Sequence, residues 1–205
     1  MESAELLSGY IFERATPDKL SVVLDIREHT YVREKGRALK VIQEDDFDQR
    51  AINFLASTTK GEPVAAIRFN PYRPFEMESY INIEAYIPSG RRPAEINRFC
   101  VLPQFRKISR SGFVHLGLLK IVYDYAASIG VSDLFICTNP QLQRLYESAL
   151  FEPLTSPTIR YEIWEGDLQM LMKLDLLSLK SRCERSQSSY HKLLYDLLCM
   201  KKILI

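Results

Sequence analysis

The feature that most constrains the fold is a strand, a basic loop and a helix that follow one another between residues 94 and 129. Ala94–Leu102 alternates well enough for a strand, and Pro103 ends it because proline lacks the N–H that a strand donates. Gly112–Ile129 has apolar residues at helical spacing, and Gly130 is typical of the position after a helix. The apolar stripe consists of Leu116, Leu119, Tyr123 and Ala126. A short apolar strand, Asp133–Thr138, follows, so the region predicts a helix between two strands.

The patterns on either side extend this unit to an α/β fold. Further strands are predicted at Tyr10–Ala15, Ala51–Ala56, Val64–Phe69, Tyr161–Trp164 and Gln169–Asp175. Further helices are predicted after Leu20, over Pro140–Leu150 and from Leu177 onward, while Glu78–Ile87 fits either type. This order of elements predicts a mixed sheet that helices cover.

The composition is that of a single folded domain. The chain has 205 residues, of which 46% are hydrophobic and 26% charged, and that is enough apolar material for a real core. We expect one domain over residues 1–205, with a core at about 10–175 and a helical C-terminal extension at about 176–205. The formal net charge of +1 gives the molecule as a whole no reason to bind nucleic acid.

Neither a membrane segment nor a metal site is expected. Charged residues interrupt the first twenty residues too often for a signal peptide, and no apolar run approaches the ~20 residues that span a bilayer. The four cysteines and three histidines have no zinc-ligand spacing. The sequence therefore predicts a cytoplasmic protein with reduced thiols and no metal or membrane contact.

Two charged residues in the predicted strand are candidates for chemistry. Glu95 and Arg98 lie three apart, so their side chains point to opposite faces unless a bulge intervenes. The alternative is an exposed strand with two solvated charges. After this strand, Arg106, Lys107 and Arg110 precede a helix, and a helix N-terminus has unpaired N–H groups that can bind a phosphate.

These motifs, in this order, resemble the GNAT superfamily and its acyl-homoserine-lactone synthase branch. Glu95-Ile96-Asn97-Arg98-Phe99 is similar to the branch's Glu-x-Ser-Arg-Phe, and Arg68 to an arginine after its strand-turn-strand unit. The branch's Glu-x-Asp-x-x-Asp segment matches either at Glu44 and Asp46 or at Asp45 and Asp48. Asn139 to Phe151 resembles the late Asn…Tyr-Glu-x-x-Gly-Phe run, with Leu150 in place of glycine. The resemblance implies a GNAT-like, mostly antiparallel twisted sheet flanked by helices, with an extra C-terminal helix.

Two departures narrow the resemblance. The branch has a tryptophan in its N-terminal third, whereas the only tryptophan here is Trp164. Ser109 and Ser111 stand where coenzyme A-dependent GNAT enzymes have glycines beside the diphosphate. What remains most similar is the long-chain N-acyl amino acid synthase family, of the N-acyltyrosine type. It implies a fatty acyl donor on the phosphopantetheine of acyl carrier protein, an amino-acid acceptor and no bound cofactor.

The resemblance also implies roles for particular residues. Glu95 is the candidate base, in a gap between splayed central strands, and backbone N–H groups near a bulge at Phe99 to Val101 would bind the oxyanion. An acyl-Cys100 route is the alternative. Candidates for binding the acceptor are Arg68 and Arg98, with Arg33 and Arg37 as further cations and Phe99 and Tyr146 as apolar contacts; Tyr146 is also a candidate general acid. Candidates for binding the carrier are Arg91, Arg92, Arg106, Lys107, Arg110 and Gly112.

Three other functions fit the same sequence pattern. One is an acetyl-coenzyme A-dependent acetyltransferase of a small amine, and a second is a homoserine-lactone synthase. The third is a GNAT-like module that binds a partner without catalysis. Consumption of acetyl-coenzyme A rather than long-chain acyl carrier protein would identify the first, and turnover of S-adenosylmethionine the second. The effect of Glu95→Gln, and a wild type without turnover for any donor, would identify the third.

Overall fold

The structure is a computed structural model that describes residues 7–38, 45–106, 114–156, 158–160 and 166–200. Its strands are β1 (Tyr10–Arg14), β2 (Ile52–Thr58), β3 (Pro63–Asn70), β4 (Pro93–Val101), β5 (Asp133–Thr138), β6 (Glu152–Pro153), β7 (Ile159–Arg160) and β8 (Leu168–Asp175). They form a sheet in the order β1-β2-β3-β4-β5-β8-β6, and β7 pairs with β8. All pairs are antiparallel except β4 with β5, so the predicted mixed, mostly antiparallel sheet is confirmed.

The helices are α1 (Leu20–Arg27), α2 (Val114–Ser128), α3 (Gln143–Ser148), α4 (Leu176–Arg185) and α5 (Ser189–Cys199). A π-helical stretch, Glu28–Glu34, continues α1, and the ambiguous region around Glu78–Ile87 forms two 3₁₀ turns, Glu76–Ser79 and Glu84–Tyr86. The single extra C-terminal helix is in fact two, because the backbone becomes extended at Ser186. Within the described residues, no helix has both the length and the apolar character to cross a membrane.

The two faces of the sheet are covered differently. Alternate residues of the strands pack under α2, α4 and α5 in the main apolar core, for example Phe54, Ile67 and Ile96. The opposite face packs against α1 through residues such as Leu55 and Ala66. A further apolar cluster on the 70–90 loop covers the β5 and β8 part of the sheet. Between these two clusters the sheet carries charged residues, and they form the site.

Two backbone positions in this fold have special requirements: one allows no side chain, and the other has a positive φ. A Cβ on Gly117 of α2 would lie 2.1 Å from the Phe12 ring of β1, so only glycine allows this approach. After α3, Leu150 has a φ of 67°, and the Phe151 N–H donates to the Tyr146 carbonyl at 3.0 Å. A glycine is the residue that such a helix end favours, and it is the residue that the family pattern has there.

Most sequence-based boundaries agree with these elements. The predicted strand Asp133–Thr138 is β5 without change, and α2 occupies the described part of Gly112–Ile129 up to Ser128. The predicted strand Tyr161–Trp164 lies outside the described residues, as do Ser109 and Ser111.

Candidate active site

The central sheet is split between β4 and β5. Their parallel pairing runs from Pro93 beside Asp133 to Glu95 beside Phe135 and extends no further in the described part of the chain. Beyond this point the strands part around a cleft of about 120 Å³. The gap that the resemblance implies is therefore open, and the last paired residue of β4 lines it.

A bulge in β4 shapes one wall of this cleft. The pairs Arg68–Asn97 and Ala66–Cys100 leave two residues of β4 opposite one residue of β3. Arg98 lies in the bulge, and its φ of 51° is in the left-handed region that L-residues rarely adopt. The Arg98 side chain consequently lines the cleft together with the residues before it.

The cleft has both polar and apolar walls. Its charged and amide side chains include Glu76, Glu95, Asn97 and Arg98. Its apolar and aromatic side chains include Phe99, Ile136, Leu142 and Tyr146. Ile136 and Tyr146 belong to the main core under α2, so the cleft passes through the split from one face of the sheet to the other. Such a site can hold a polar reactant beside an apolar chain.

Glu95 lies at the paired end of the cleft and is only 2% exposed. Its Oε2 accepts hydrogen bonds from Asn70 Nδ2 at 2.8 Å and from the Glu76 N–H at 3.0 Å, and its Oε1 accepts from the Met77 N–H at 3.1 Å. Desolvation, and then the negative charge of Glu76, raises the pKa of Glu95 to about 7, although the hydrogen bonds oppose this shift. The carboxyl group is therefore poised to accept a proton near neutral pH.

Asn70 is matched to both protonation states of Glu95. Its side chain is buried, and its Oδ1 has no hydrogen-bond partner among the described residues. A half-turn of the Asn70 amide would present this acceptor to a protonated Glu95. The acid proton would then be donated to Asn70 Oδ1, and both backbone N–H groups would keep their acceptors on Glu95.

Glu76 is a site residue that sequence reasoning missed. Its Oε1 accepts from Arg98 Nη2 at 2.9 Å, and its Oε2 accepts from Asn97 Nδ2 at 3.0 Å and from Arg68 Nη2. It lies 19 residues before Glu95 in an irregular, proline-containing loop. No periodicity or motif marks this position, because only the folded loop brings the two carboxylates together.

The acidic segment supplies the next partners of Arg68. Arg68 Nη1 lies 2.8 Å from Asp45 Oδ1 and 3.2 Å from Asp48 Oδ1. Asp46 is exposed, and Glu44 lies outside the described residues. Of the two alignments that the sequence left open, the structure therefore favours Asp45 and Asp48.

Asp48 is a buried, permanently charged group. Arg27 Nη1 and Nη2 each donate to its carboxylate at 2.9 Å, and Arg27 Nη2 also donates to Asn53 Oδ1 at 2.8 Å. Burial alone would raise the pKa of Asp48, but the hydrogen bond and charge of Arg27, with those of Arg68, lower it to about 2. The network holds α1, β2 and β3 together beside the cleft.

Only some of the cations predicted to bind the acceptor line the cleft. Arg98 and Arg37 line the cleft. Arg68 is fully buried behind it and is not among the residues that line it, because its guanidinium contacts the acidic residues of the network. Arg33 lies away from the cleft, with its side chain 66% exposed and paired with Glu28 at 2.8 Å.

Of the candidate residues after Arg98, again only some line the cleft. Phe99 lines the cleft, whereas Cys100 and Val101 are not among its described walls. Cys100 packs in the cluster under α1 beside Tyr31, and burial raises the pKa of its thiol. A buried thiol with a raised pKa is a poor nucleophile, so the geometry does not favour the acyl-cysteine alternative.

Tyr146 lines the apolar side of the cleft from α3. Its ring meets Phe151 edge-on at 5.6 Å between centroids. Burial raises the pKa of Tyr146 above its ordinary value, although a hydrogen bond with Thr138 opposes this. The phenol therefore stays protonated and is a weaker acid than an exposed tyrosine.

The predicted basic patch is not one surface. Arg91 precedes β4 at its paired end, where Arg91 Nε donates to Asp133 at 2.6 Å, and Arg92 is next to it. Arg106 follows β4 at the open end, where it pairs with Glu34 at 2.7 Å. The nine residues of β4 separate them by about 30 Å, so Arg91 and Arg92 do not join Arg106 beside the cleft. Three further candidates lie outside the described residues: Lys107, Arg110 and Gly112.

The split, mostly antiparallel sheet flanked by helices is a GNAT-like fold, and solved structures agree on it. FeeM, an N-acyl amino acid synthase from uncultured soil microbes, is similar with a TM-score of 0.67 and 19% identity, over 84% of this chain and 93% of that one. BjaI, a CoA-dependent acyl-homoserine lactone synthase, is similar with a TM-score of 0.62 and 19% identity, over 95% and 91%. A protein from Lactobacillus plantarum assigned as an N-acetyltransferase has a TM-score of 0.63 and 15% identity, over 82% and 99%.

The sequence itself identifies the family. The profile of the family described as N-acyl amino acid synthase FeeM matches residues 23–175. The chain therefore belongs to the FeeM family of N-acyl amino acid synthases and is an acyltransferase. No curated protein sequence matches it significantly.

Proposed function

We propose that this chain moves a long fatty acyl group from the thioester of acyl carrier protein to the α-amine of an amino acid, tyrosine in particular. The observation that carries the proposal is the position of Glu95, which lines the cleft with a pKa raised to about 7 by burial and by Glu76. An α-amino group has a pKa of about 8, so it arrives largely protonated, and a base of nearly matched pKa can take its proton.

Direct attack accounts for the chemistry without an enzyme-bound acyl group. Glu95 takes one proton from the ammonium group, directly or through a water, and releases it to solvent. The free amine nitrogen then attacks the thioester carbonyl, a C–N bond forms, and the second proton of the nitrogen passes to Glu95. The tetrahedral oxyanion collapses, the C–S bond breaks, and the phosphopantetheine thiolate leaves and takes this proton from Glu95. The Asn70 acceptor supports this cycle, because it stabilises Glu95 while the proton resides there.

The backbone beyond Glu95 supports a site for the oxyanion. On the β5 side, β4 has no ladder partner after Glu95 among the described residues, and the bulge at Arg98 turns the chain there. Backbone N–H groups at such a parting can face a bound carbonyl oxygen. One oxyanion donor typically contributes on the order of 10²-fold or more to the rate.

The two sides of the cleft suit the two substrates. Arg98, which pairs with Glu76, and Arg37, which pairs with Asp167, both line the cleft, and either can also donate to the acceptor carboxylate. Phe99, Ile136 and Tyr146 form the side that can hold the acyl chain. The raised pKa of Tyr146 favours a binding role over proton donation to the thiolate.

The donor would enter at the open ends of β4 and β5. Arg106 lies at this end, where it pairs with Glu34, and a cation at this position can also pair with an acidic group of the carrier protein. No cofactor needs to be bound, because phosphopantetheine brings the activated acyl group.

Mass spectrometry of the products tests the proposal. The purified chain receives hexadecanoyl-acyl carrier protein, hexadecanoyl-coenzyme A and acetyl-coenzyme A in competition, with the protein amino acids together as acceptors. We expect N-hexadecanoyl-tyrosine formed from the carrier protein, lost in Glu95→Gln and retained in Glu62→Gln, whose carboxylate is exposed in the β2–β3 turn. If only acetyl-coenzyme A is consumed, the proposal of a long acyl group is contradicted. If hexadecanoyl-coenzyme A is preferred, the proposal that acyl carrier protein is the donor is contradicted.

A further inference from the structure

A buried amide side chain, that of Gln169 in β8, forms part of the cleft wall. Gln169 is only 7% exposed and lines the cleft. No hydrogen bond joins its side-chain amide to another residue that the structure describes. Most buried polar side-chain atoms have a partner, because an unpaired polar group removed from water costs free energy. A buried and unpaired amide at the wall of a cleft therefore indicates that a bound molecule supplies the hydrogen bond.

Gln169 lies on the same face of the sheet as Glu95. The next residue of β8, Met170, packs in the main core under α2, so Gln169 lies on the opposite face. The next residue of β4, Ile96, packs in the same core, so Glu95 also lies on the opposite face. Ile136, which can contact the acyl chain, belongs to the core face. The amide of Gln169 is therefore on the side of the sheet where the acceptor meets Glu95.

The strand register gives the span between these two polar groups. Glu95 pairs with Phe135 of β5. The antiparallel register of β5 with β8, continued by one residue, places Asn139 beside Gln169. Four residues of strand, or about 13 Å, thus separate the row of Glu95 from the row of Gln169. Both side chains line the cleft between these rows, and an aromatic amino acid with a hydrogen bond at each end covers a span of this order.

The charged groups near Gln169 already have partners. Asp167, two residues before it, pairs with Arg37, and both line the cleft. The ammonium group of Lys35 lies 5.4 Å from the centroid of the Tyr31 ring. A charged acceptor side chain would lose its water there without gaining a free counter-charge, which is costly. A neutral hydroxyl group can bond to a neutral amide without this cost.

We propose that Gln169 is a specificity-determining residue, whose amide binds the hydroxyl group at the end of the acceptor side chain and so selects tyrosine over aromatic amino acids without this group. The amide has both a donor and an acceptor for the phenol hydroxyl. A site built to bond a hydroxyl group discriminates against an analogue without it, because its own buried polar group is then left unpaired. The proposal rests on the proposed function, since it identifies the group that recognises the acceptor of that reaction.

A competition between two acceptors of nearly equal size tests this role. The enzyme receives hexadecanoyl-acyl carrier protein with equimolar tyrosine and 4-methylphenylalanine, which has a methyl group in place of the hydroxyl, and mass spectrometry measures the product ratio. The wild type should favour tyrosine by about 10–100-fold. Gln169→Met, with an unbranched apolar side chain of similar volume, should bring the ratio to within about three-fold of one. Gln141→Met is the matched control and should keep the wild-type ratio, because Gln141 is exposed and does not line the cleft.

The ratio within one sample separates recognition from folding. Partial unfolding of Gln169→Met lowers both products together and leaves their ratio unchanged. Loss of the hydrogen bond lowers the tyrosine product alone and leaves the formation of the 4-methylphenylalanine product intact. A wild type that uses both acceptors equally, or equal ratios in the wild type and Gln169→Met, would overturn the proposal.

A readout without turnover separates this proposal from the proposed function. The shift in Tm is measured with N-hexadecanoyl-tyrosine and with N-hexadecanoyl-4-methylphenylalanine. If the wild type acylates neither acceptor, the proposed function fails. The role of Gln169 then stands if the tyrosine compound stabilises the wild type more and this difference disappears in Gln169→Met. It fails if the difference is absent from the wild type or persists in the variant.

Discussion

Two buried carboxylates of this protein, Glu95 and Asp48, have opposite acidities. Glu95 is 2% exposed and Asp48 is 7% exposed, so burial alone does not distinguish them. Yet the pKa of Glu95 is raised to about 7, with desolvation as the largest cause, and that of Asp48 is lowered to about 2 despite desolvation. Their partners make the difference. Two guanidinium groups face Asp48, whereas amide donors and a second carboxylate face Glu95.

The difference separates a structural charge from a chemical one. Asp48 pairs with Arg27 and Arg68 and through them holds α1 against β3. Its carboxylate therefore stays ionised at any physiological pH. Glu95 sits where the sheet opens, beside an amide that can follow its proton. The network of fixed charges thus holds the cleft, and one carboxyl inside the cleft remains free to change state.

The largest expected effect comes from removing the titrating carboxyl. Glu95→Gln should lower kcat/KM by about 10²–10⁴-fold, because general base catalysis contributes about that much. Stability should change by less than about 1.5 kcal/mol, since losing a buried charge offsets one backbone N–H left without its acceptor. Steady-state acyl transfer and urea unfolding of the same preparation measure both. Unchanged activity would remove Glu95 from the reaction.

The fixed carboxylate should behave in the opposite way. Asp48→Asn leaves Arg27 and Arg68 without their shared counter-charge, and breaking such a buried pair costs about 3–5 kcal/mol of unfolding free energy. Asp46→Asn, an exposed neighbour, is the control and should cost under about 0.5 kcal/mol. Urea unfolding at neutral pH compares them. Equal stability of the two variants would refute the structural role.

Most of the sheet could be predicted from the sequence because local patterns specify it. The alternation of β2, β3 and β4 and the apolar run of β5 identify strands, and the stripe of α2 identifies its helix. The wrong prediction for the C-terminal region, one helix instead of two, concerns where an apolar segment bends, which the apolar pattern alone does not specify. The break at Ser186, which makes two helices from one apolar region, has no proline or glycine to announce it.

The site shows the same limit. Glu95 and Arg98 are visible in the sequence, but their spacing left open whether they lie on opposite faces or whether a bulge brings them together, as the structure shows. Glu76 was not visible, because a long irregular loop brings it to Glu95. Six basic residues between positions 91 and 110 read as one patch, but an extended strand carries its two ends about 30 Å apart. Proximity in sequence is a poor guide to proximity across a strand.

A neighbouring charge offers a subtler test of Glu95. Activity should rise with pH through about 7, because only the ionised carboxyl accepts the proton of the amine. Glu76→Gln removes the negative charge that raises the pKa of Glu95, so the acid limb of the kcat/KM profile should move to lower pH. A merely structural effect of this variant would lower the rate without moving the limb. The acid limb of the wild type provides the reference, and an unmoved limb would contradict the coupling.

The smallest effect concerns stability against pH, where the two carboxyl groups should again differ in sign. The folded state raises the pKa of Glu95, so its stabilising contribution is complete below the ordinary value of 4.5 and is lost as pH rises through about 7. Asp48 has a lowered pKa, so its contribution is present above 3.8 and is lost as pH falls through about 2. Between roughly pH 5 and 8 only the first should change.

Urea unfolding across this range should therefore show the wild type losing stability relative to Glu95→Gln, by on the order of 1–3 kcal/mol, since one pKa unit corresponds to about 1.4 kcal/mol. The difference between wild type and Asp48→Asn should stay constant over the same range. If the Glu95→Gln difference is instead flat, the carboxyl group is already ionised at pH 5, and it lacks the affinity for a proton that the transfer step requires.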